Sequence, residues 1–415
     1  MSADARPAGL GAYIAVTAAY WAFMLTDGAL RMLVLLHFHT LGFSPVQLAY
    51  LFLLYEFMGM VTNLGAGWIA KRFGLTSTLF AGLILQIGAL YALAQLDPAW
   101  GVGASVVFVM AVQGVSGVAK DLAKMSSKSA VKLLAPEGQG ALFRWVAVLT
   151  GSKNAVKGLG FLLGAALLGA VGFAASLMAM MIALGAVLAA VVLAMPAGLP
   201  RGVKGAKFRD VFSTSRAVNR LSAARLFLFG ARDTWFVVGV PIYFYAVLSD
   251  GTVEGDRAAF FLIGGFMALW IILYGAVQAA APRILSAKRR ALPALTAAAG
   301  AWVGGLTLIP AALALAVWAA GAPSGWLTAA LVGGLLLFGG VFAVNSSLHS
   351  YLILAFTSAE RVTMDVGFYY MSNAAGRLLG TLLSGLSYQI GGLPLCLGAA
   401  AAMAGASWLC ARRLA

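Results

Sequence analysis

Charge is scarce in this chain. Only 10% of its 415 residues are charged, while 62% are hydrophobic. Soluble globular domains average about 25% charged residues, so a water-soluble fold of this length is excluded. Cysteine is nearly missing: Cys396 and Cys410, both in the last apolar run, give no disulfide framework and no clustered thiolates. There is no GxxxxGK[ST] phosphate loop and not even a Gly-Lys dipeptide, which argues against ATP-driven pumping by this chain. Zinc-type His/Glu patterns and Asp-rich diphosphate motifs are also lacking, so neither an enzyme nor a resident metal or cofactor is expected. The ten-residue alternating segments of a membrane β-barrel do not occur either.

What is present is a succession of apolar runs of about 20 residues, the length that spans ~30 Å of hydrocarbon. Twelve are expected, at 12–38, 46–70, 75–96, 101–123, 145–170, 173–196, 221–248, 258–281, 292–319, 325–355, 365–390 and 393–411. The first is too long for a cleavable signal peptide and contains Asp27 and Arg31. The formal net charge of +15 invites a nucleic-acid reading, but the basic residues fall in alternate loops. One set holds Lys71 and Arg72; Lys124, Lys128, Lys132 and Arg144; Arg201, Lys204, Lys207, Arg209, Arg216 and Arg220; Arg283, Lys288, Arg289 and Arg290; and Arg361, with Arg412 and Arg413 in the tail. The opposite loops hold Arg257 beside Asp250, Glu254 and Asp256. By the positive-inside rule both termini are cytoplasmic, and the partner is a lipid bilayer, not nucleic acid.

The basic, polar stretch 197–220 divides the chain into a six-helix bundle at 1–196 and another at 221–415. Span 7 overlays span 1 when Asp233 is matched to Asp27, which sets Tyr243-Phe244 against His37-Phe38, as an internal duplication would. After span 2 comes Gly67-Trp68-Ile69-Ala70-Lys71-Arg72-Phe73-Gly74. It resembles the signature between helices 2 and 3 of the major facilitator superfamily, with Lys71 in place of the acidic residue. The expected fold is therefore all-α, a major facilitator fold of twelve transmembrane helices in two pseudo-symmetric six-helix bundles.

Charges inside the spans carry the functional signal. Arg31 lies in span 1 and Arg232 in span 7, one per half; Lys157 lies in span 5 and Arg377 in span 11. Left unpaired, four such cations would cost on the order of 10–14 kcal/mol, the whole stability of a typical domain. They need acids, or a wet cavity and a ligand. Asp27 and Arg31, at i and i+4, can neutralise each other, whereas Lys157 and Arg377 have no acid within four residues. Lys153 shares a helical face with Lys157, and Lys120 sits near the inner end of span 4, where snorkelling is the plainer reading. Excess central cations point to an anion, since the guanidinium fork suits phosphate or carboxylate. The substrate-binding candidates are Arg31, Arg232, Lys157, Arg377, Lys153 and Lys120. Glu56, alone in span 2, is the first candidate for proton coupling, followed by Asp27 and Asp233.

Several stretches resemble one family closely. They are Tyr20–Val34 around Asp27-Gly28-Ala29-Leu30-Arg31, Tyr55-Glu56-Phe57, Gly117–Leu122 around Lys120-Asp121, Leu149–Gly158 with Lys153 and Lys157, and Ser222–Asp233 with Arg225 and Arg232. Together they look like the ArsJ-type organoarsenical efflux permeases of the major facilitator superfamily. The resemblance implies export of 1-arseno-3-phosphoglycerate across a bacterial inner membrane, giving arsenate resistance. It also implies a functional partner, a glyceraldehyde-3-phosphate dehydrogenase that makes this species from arsenate and glyceraldehyde 3-phosphate. A monomer is expected. An organophosphate/phosphate antiporter and a drug/proton antiporter remain the alternatives.

Overall fold

The computed structural model describes residues 8–134, 141–194, 213, 215–286, 291–357 and 362–414. Of the linker expected at 197–220 only 213 and 215–220 are described, and the side chains of Lys71, Lys128, Lys132, Arg144, Arg201, Lys204, Lys207, Arg209, Lys288, Arg289, Arg290 and Arg361 lie outside the described residues. Among the described residues every regular element is a helix: α1 (Ala8–Thr40), α2 (Pro45–Leu64), α3 (Ala66–Ala94), α4 (Val102–Leu134), α5 (Ala141–Ala194), α6 (Arg216–Phe236), α7 (Gly239–Leu248), α8 (Val253–Ile284), α9 (Leu292–Ala320), α10 (Gly325–Phe356) and α11 (Val362–Ala411).

Ten stretches of these helices are long and apolar enough to cross a membrane. Two of them, at 42 and 47 residues, would extend about 63 and 70 Å as straight helices, twice a bilayer core. Each is broken. Gly172 stands at φ 79° inside α5, and Gly392 at φ 61° inside α11, a left-handed backbone that glycine alone adopts without penalty. These breaks fall between the expected spans 5 and 6 and spans 11 and 12. Divided there, the ten stretches give twelve helical segments among the described residues.

Span 7, expected as one continuous helix, is instead two helices, α6 and α7. Pro241 has no N–H to offer the carbonyl of Val237, and its ring disfavours helix just before it. The backbone N–H groups of Val238 and Gly239, freed at the break, both donate to the Ser384 hydroxyl at 3.1 Å.

Helix packing follows the two-fold pattern. Within the halves α1 lies on α5 and α6 on α11; between the halves α5 lies on α8 and α2 on α11. Apolar burial drives little of this in lipid, so close backbone approach matters more. Gly160 and Gly164 of α5 illustrate it. A Cβ on Gly160 would overlap the Leu25 carbonyl, and one on Gly164 the Ala29 backbone. Between the halves, a Cβ on Gly158 would lie 2.9 Å from the Ala268 carbonyl, and one on Gly385 would overlap that of Pro45. Leu193, Leu308, Leu315, Trp318 and Ile390 turn outward, as a lipid-facing surface requires.

Candidate functional site

The α1–α5 contact builds the first part of the site. Gly28 faces Lys157 so closely that a Cβ there would sit 2.5 Å from the Lys157 carbonyl. The next residue back, Asp27, is 3% exposed. It receives the Lys157 ammonium at 2.6 Å on Oδ2 and the Tyr55 hydroxyl at 2.5 Å on Oδ1. Arg31, one turn on, turns away from Asp27. Its Nη2 donates to Glu56 Oε1 on α2 at 3.1 Å, and its guanidinium lies over the rings of Phe52 and Tyr55. The i, i+4 pairing open in the sequence is therefore not the one formed.

The α6–α11 contact builds the second part. A Cβ on Gly380 would meet the Gly230 carbonyl at 2.6 Å and Asp233 Cβ at 3.0 Å. This close crossing brings Arg377 to Asp233, where its Nε donates to Oδ2 at 3.1 Å. Asp233 Oδ1 is held by its chain neighbour Arg232 at 2.5 Å. Arg232 also lies over Phe229, Phe236 and Phe342, at 4.9, 5.8 and 5.6 Å from their centroids.

Arg377 joins the two parts. Its Nη2 donates to Glu56 Oε1 at 2.6 Å, the same oxygen that Arg31 holds from the other half. Glu56 is fully buried, and its Oε2 has no hydrogen-bond partner. Four cations (Arg31, Lys157, Arg232, Arg377) thus share three carboxylates (Asp27, Glu56, Asp233). Removing one member of such a buried pair typically costs about 3–5 kcal/mol, because the other is left uncompensated. Beside this network Asp27, Arg31, Phe52, Tyr55 and Gln113 line a cavity of about 10 Å³, room for about one water.

The remaining sequence candidates sit at the margin. Lys120 is 8% exposed, and its ammonium lies 4.1 Å from the Tyr55 ring centroid with no carboxylate within ion-pair distance among the described residues. Lys153 lies one turn before Lys157 on α5 and is half-buried. A separate group lies along α4: Asp121 accepts from Thr62, Asn63 and Lys124, and Lys124 lies 5.3 Å from the Tyr370 ring of the other half. Among the described residues no group of three or more His, Cys, Asp or Glu converges as a metal site would.

One buried cation was not among the sequence candidates. Arg225 of α6 is 4% exposed. Its Nε donates to Asn373 Oδ1 at 3.2 Å, and its Nη1 to the Ser346 carbonyl and hydroxyl at 2.9 and 3.0 Å. No carboxylate reaches it among the described residues. Near it lie Asn345 and His349 of α10 and Tyr369 of α11, all fully buried, whose amide, imidazole and hydroxyl atoms have no hydrogen-bond partner. The signal that would have found Arg225 is its spacing: seven residues before Arg232, it lies two turns away on the same helix face.

Solved structures share this architecture. A POT family transporter in complex with 5-aminolevulinic acid matches with a TM-score of 0.70 at 15% identity, over 98% of this chain and 96% of its own. A structure of proton dependent oligopeptide transporters gives 0.69 at 13% identity, over 98% and 97%. The nucleoside transporter NupG, in a variant form, gives 0.64 at 16%, over 98% of each chain. At such identities the likeness is one of fold, and the fold is that of the major facilitator transporters, in a multi-pass membrane protein. No protein-family model and no curated protein sequence matches the chain.

Proposed function

We propose that this protein is a secondary active transporter that exports a small phosphorylated organic anion by alternating access. The observation that carries the reading is the central network, in which arginines from both halves compete for one buried oxygen of Glu56. Such an arrangement is held together by carboxylates and opened by a ligand that replaces them. An incoming anion that takes Arg31, Arg232 and Arg377 from Glu56 and Asp233 breaks the link between the halves. Lys157, Lys153 and Lys120 add positive potential around it. Glu56, released from its cations, is the proton carrier of this reading. Proton exchange for substrate follows, with Asp27 and Asp233 as further proton carriers. A fold neighbour described as proton dependent is consistent with this coupling.

Arginine forks and surplus positive charge favour a phosphoryl-bearing anion over a lipophilic cation. The resemblance to the ArsJ-type permeases then selects 1-arseno-3-phosphoglycerate, supplied by a glyceraldehyde-3-phosphate dehydrogenase, as the cargo. The test uses everted membrane vesicles supplied with that dehydrogenase, its oxidised nicotinamide cofactor, arsenate and glyceraldehyde 3-phosphate. Arsenic accumulates in the lumen with the wild-type protein, and Arg31→Ala or Arg232→Ala lowers the rate at least about tenfold, the loss of one charge-assisted contact. Normal transport by both variants overturns the arginine site. Glu56→Gln uncouples accumulation from the proton gradient; coupling that survives it removes Glu56 from the mechanism.

A further inference from the structure

The Arg225 cluster is not used by the network above, yet it has the composition of a ligand site. Among the described residues Arg225 is bound only by neutral acceptors, so its buried positive charge has no counter-charge in contact with it. Its guanidinium lies over the rings of Phe229 and Tyr369, 4.0 and 5.0 Å from their centroids. The surrounding orphans are the Tyr369 hydroxyl, the Asn345 amide and both nitrogens of His349. The tyrosine hydroxyl, the amide Nδ2 and one imidazole nitrogen can each donate a hydrogen bond, and each lies on a helix that also touches Arg225. Asn345 and His349 share one face of α10, a turn apart. Their face also carries the Ser346 that holds Arg225, and Tyr274 of α8 closes the group through Ser346 at 3.4 Å.

A cation ligand is excluded by the missing carboxylate. A planar carboxylate would satisfy the guanidinium alone. Several neutral donors around one cation match a tetrahedral oxyanion, whose three free oxygens accept many bonds. We propose that Arg225, Asn345, His349 and Tyr369 form a subsite for a phosphoryl group, one step along α6 from the Arg232 network. This rests on the reading of the protein as an anion transporter. The Phe229 ring contacts both guanidinium groups, Arg225 at 4.0 Å and Arg232 at 4.9 Å, so it spaces the two cations. Seven residues of helix set them about 10 Å apart along the axis, a separation that serves a small acid with an anionic group at each end.

The experiment measures binding to the purified full-length protein in nanodiscs, by calorimetry, with three probes: inorganic phosphate, glycerate and 3-phosphoglycerate. For the wild type, 3-phosphoglycerate binds more tightly than either single-ended probe. Arg225→Gln weakens phosphate and 3-phosphoglycerate by at least about tenfold and leaves glycerate unchanged, while Arg232→Gln weakens glycerate. Tyr369→Phe serves as the second variant, because it deletes one hydroxyl and keeps the ring that lies against Arg225. It leaves the unfolding temperature unchanged or higher, yet weakens phosphate by about threefold to tenfold. Phosphate binding that persists unchanged in both Arg225→Gln and Tyr369→Phe overturns the subsite and leaves the transporter reading standing. A wild-type protein that binds none of the three probes overturns both.

Discussion

The two halves of the molecule carry the same ion pair in different settings. In the N-terminal half Asp27 of α1 meets Lys157 of α5; in the C-terminal half Asp233 of α6 meets Arg377 of α11. These pairs occupy equivalent helices once Asp27 is laid over Asp233. Around them the halves diverge. Arg31 and Lys157 each face a carboxylate of their own half, Glu56 and Asp27, with Lys120 beside them on the Tyr55 ring. In the middle of the C-terminal half Arg225, Arg232 and Arg377 have one carboxylate, Asp233, and Arg377 borrows Glu56 from across the interface. Arg31 and Arg232 are thus not symmetry mates: one follows its aspartate by a turn, the other precedes its aspartate by one residue. Among the groups of this network the guanidinium charge in excess of local carboxylates lies on the C-terminal side.

The comparison can be broken most severely at Asp233. Asp233→Asn leaves three guanidinium groups in the C-terminal half without an acid of their own, and a loss of about 3–5 kcal/mol is expected, read as a fall in the detergent-solubilised unfolding temperature. A fall no larger than that of an exposed-site control contradicts the unequal charge balance. Lys157→Met tests the other side. It strands Asp27 with the Tyr55 hydroxyl alone, for a smaller loss, and Asp27→Asn in the same chain restores part of it. The cycle should give a coupling energy of about 1–3 kcal/mol, and additive effects would dissolve the pair. The finest adjustment is Tyr55→Phe, which removes one hydrogen bond to a carboxylate and costs about 1.5–3 kcal/mol at most. Because Tyr55 has no counterpart donor reaching Asp233, this variant weakens only the N-terminal side.

Much of this was legible in the sequence, for physical reasons that differ by feature. The helices announce themselves because every backbone polar group in lipid must be satisfied within its own segment, so apolar runs of fixed length have one solution. The breaks at Gly172 and Gly391-Gly392 fell where the apolar pattern divides. The central cations stood out because their isolation is costly. Their partners did not. Lys157 finds Asp27 at a distance of 130 residues, and Arg377 finds Glu56 at 321, and no local spacing encodes such contacts. Arg225 was overlooked for another reason. It sits nine residues into α6, close to a basic linker, where arginines normally reach back to water; besides its spacing from Arg232, its burial and its neutral partners set it apart. The break between α6 and α7 was readable in Pro241 and was passed over because the apolar run is continuous through it.

One atom has a consequence for how the two halves move. Glu56 Oε1 is gripped from opposite sides by Arg31 and Arg377, so neither guanidinium can be drawn off without redistributing the hold of the other. Under the proposed transport reading, a ligand arriving at one bundle acts on its twin through this shared oxygen. The clasp behaves as a single knot with two free ends, and pulling either end undoes it for both.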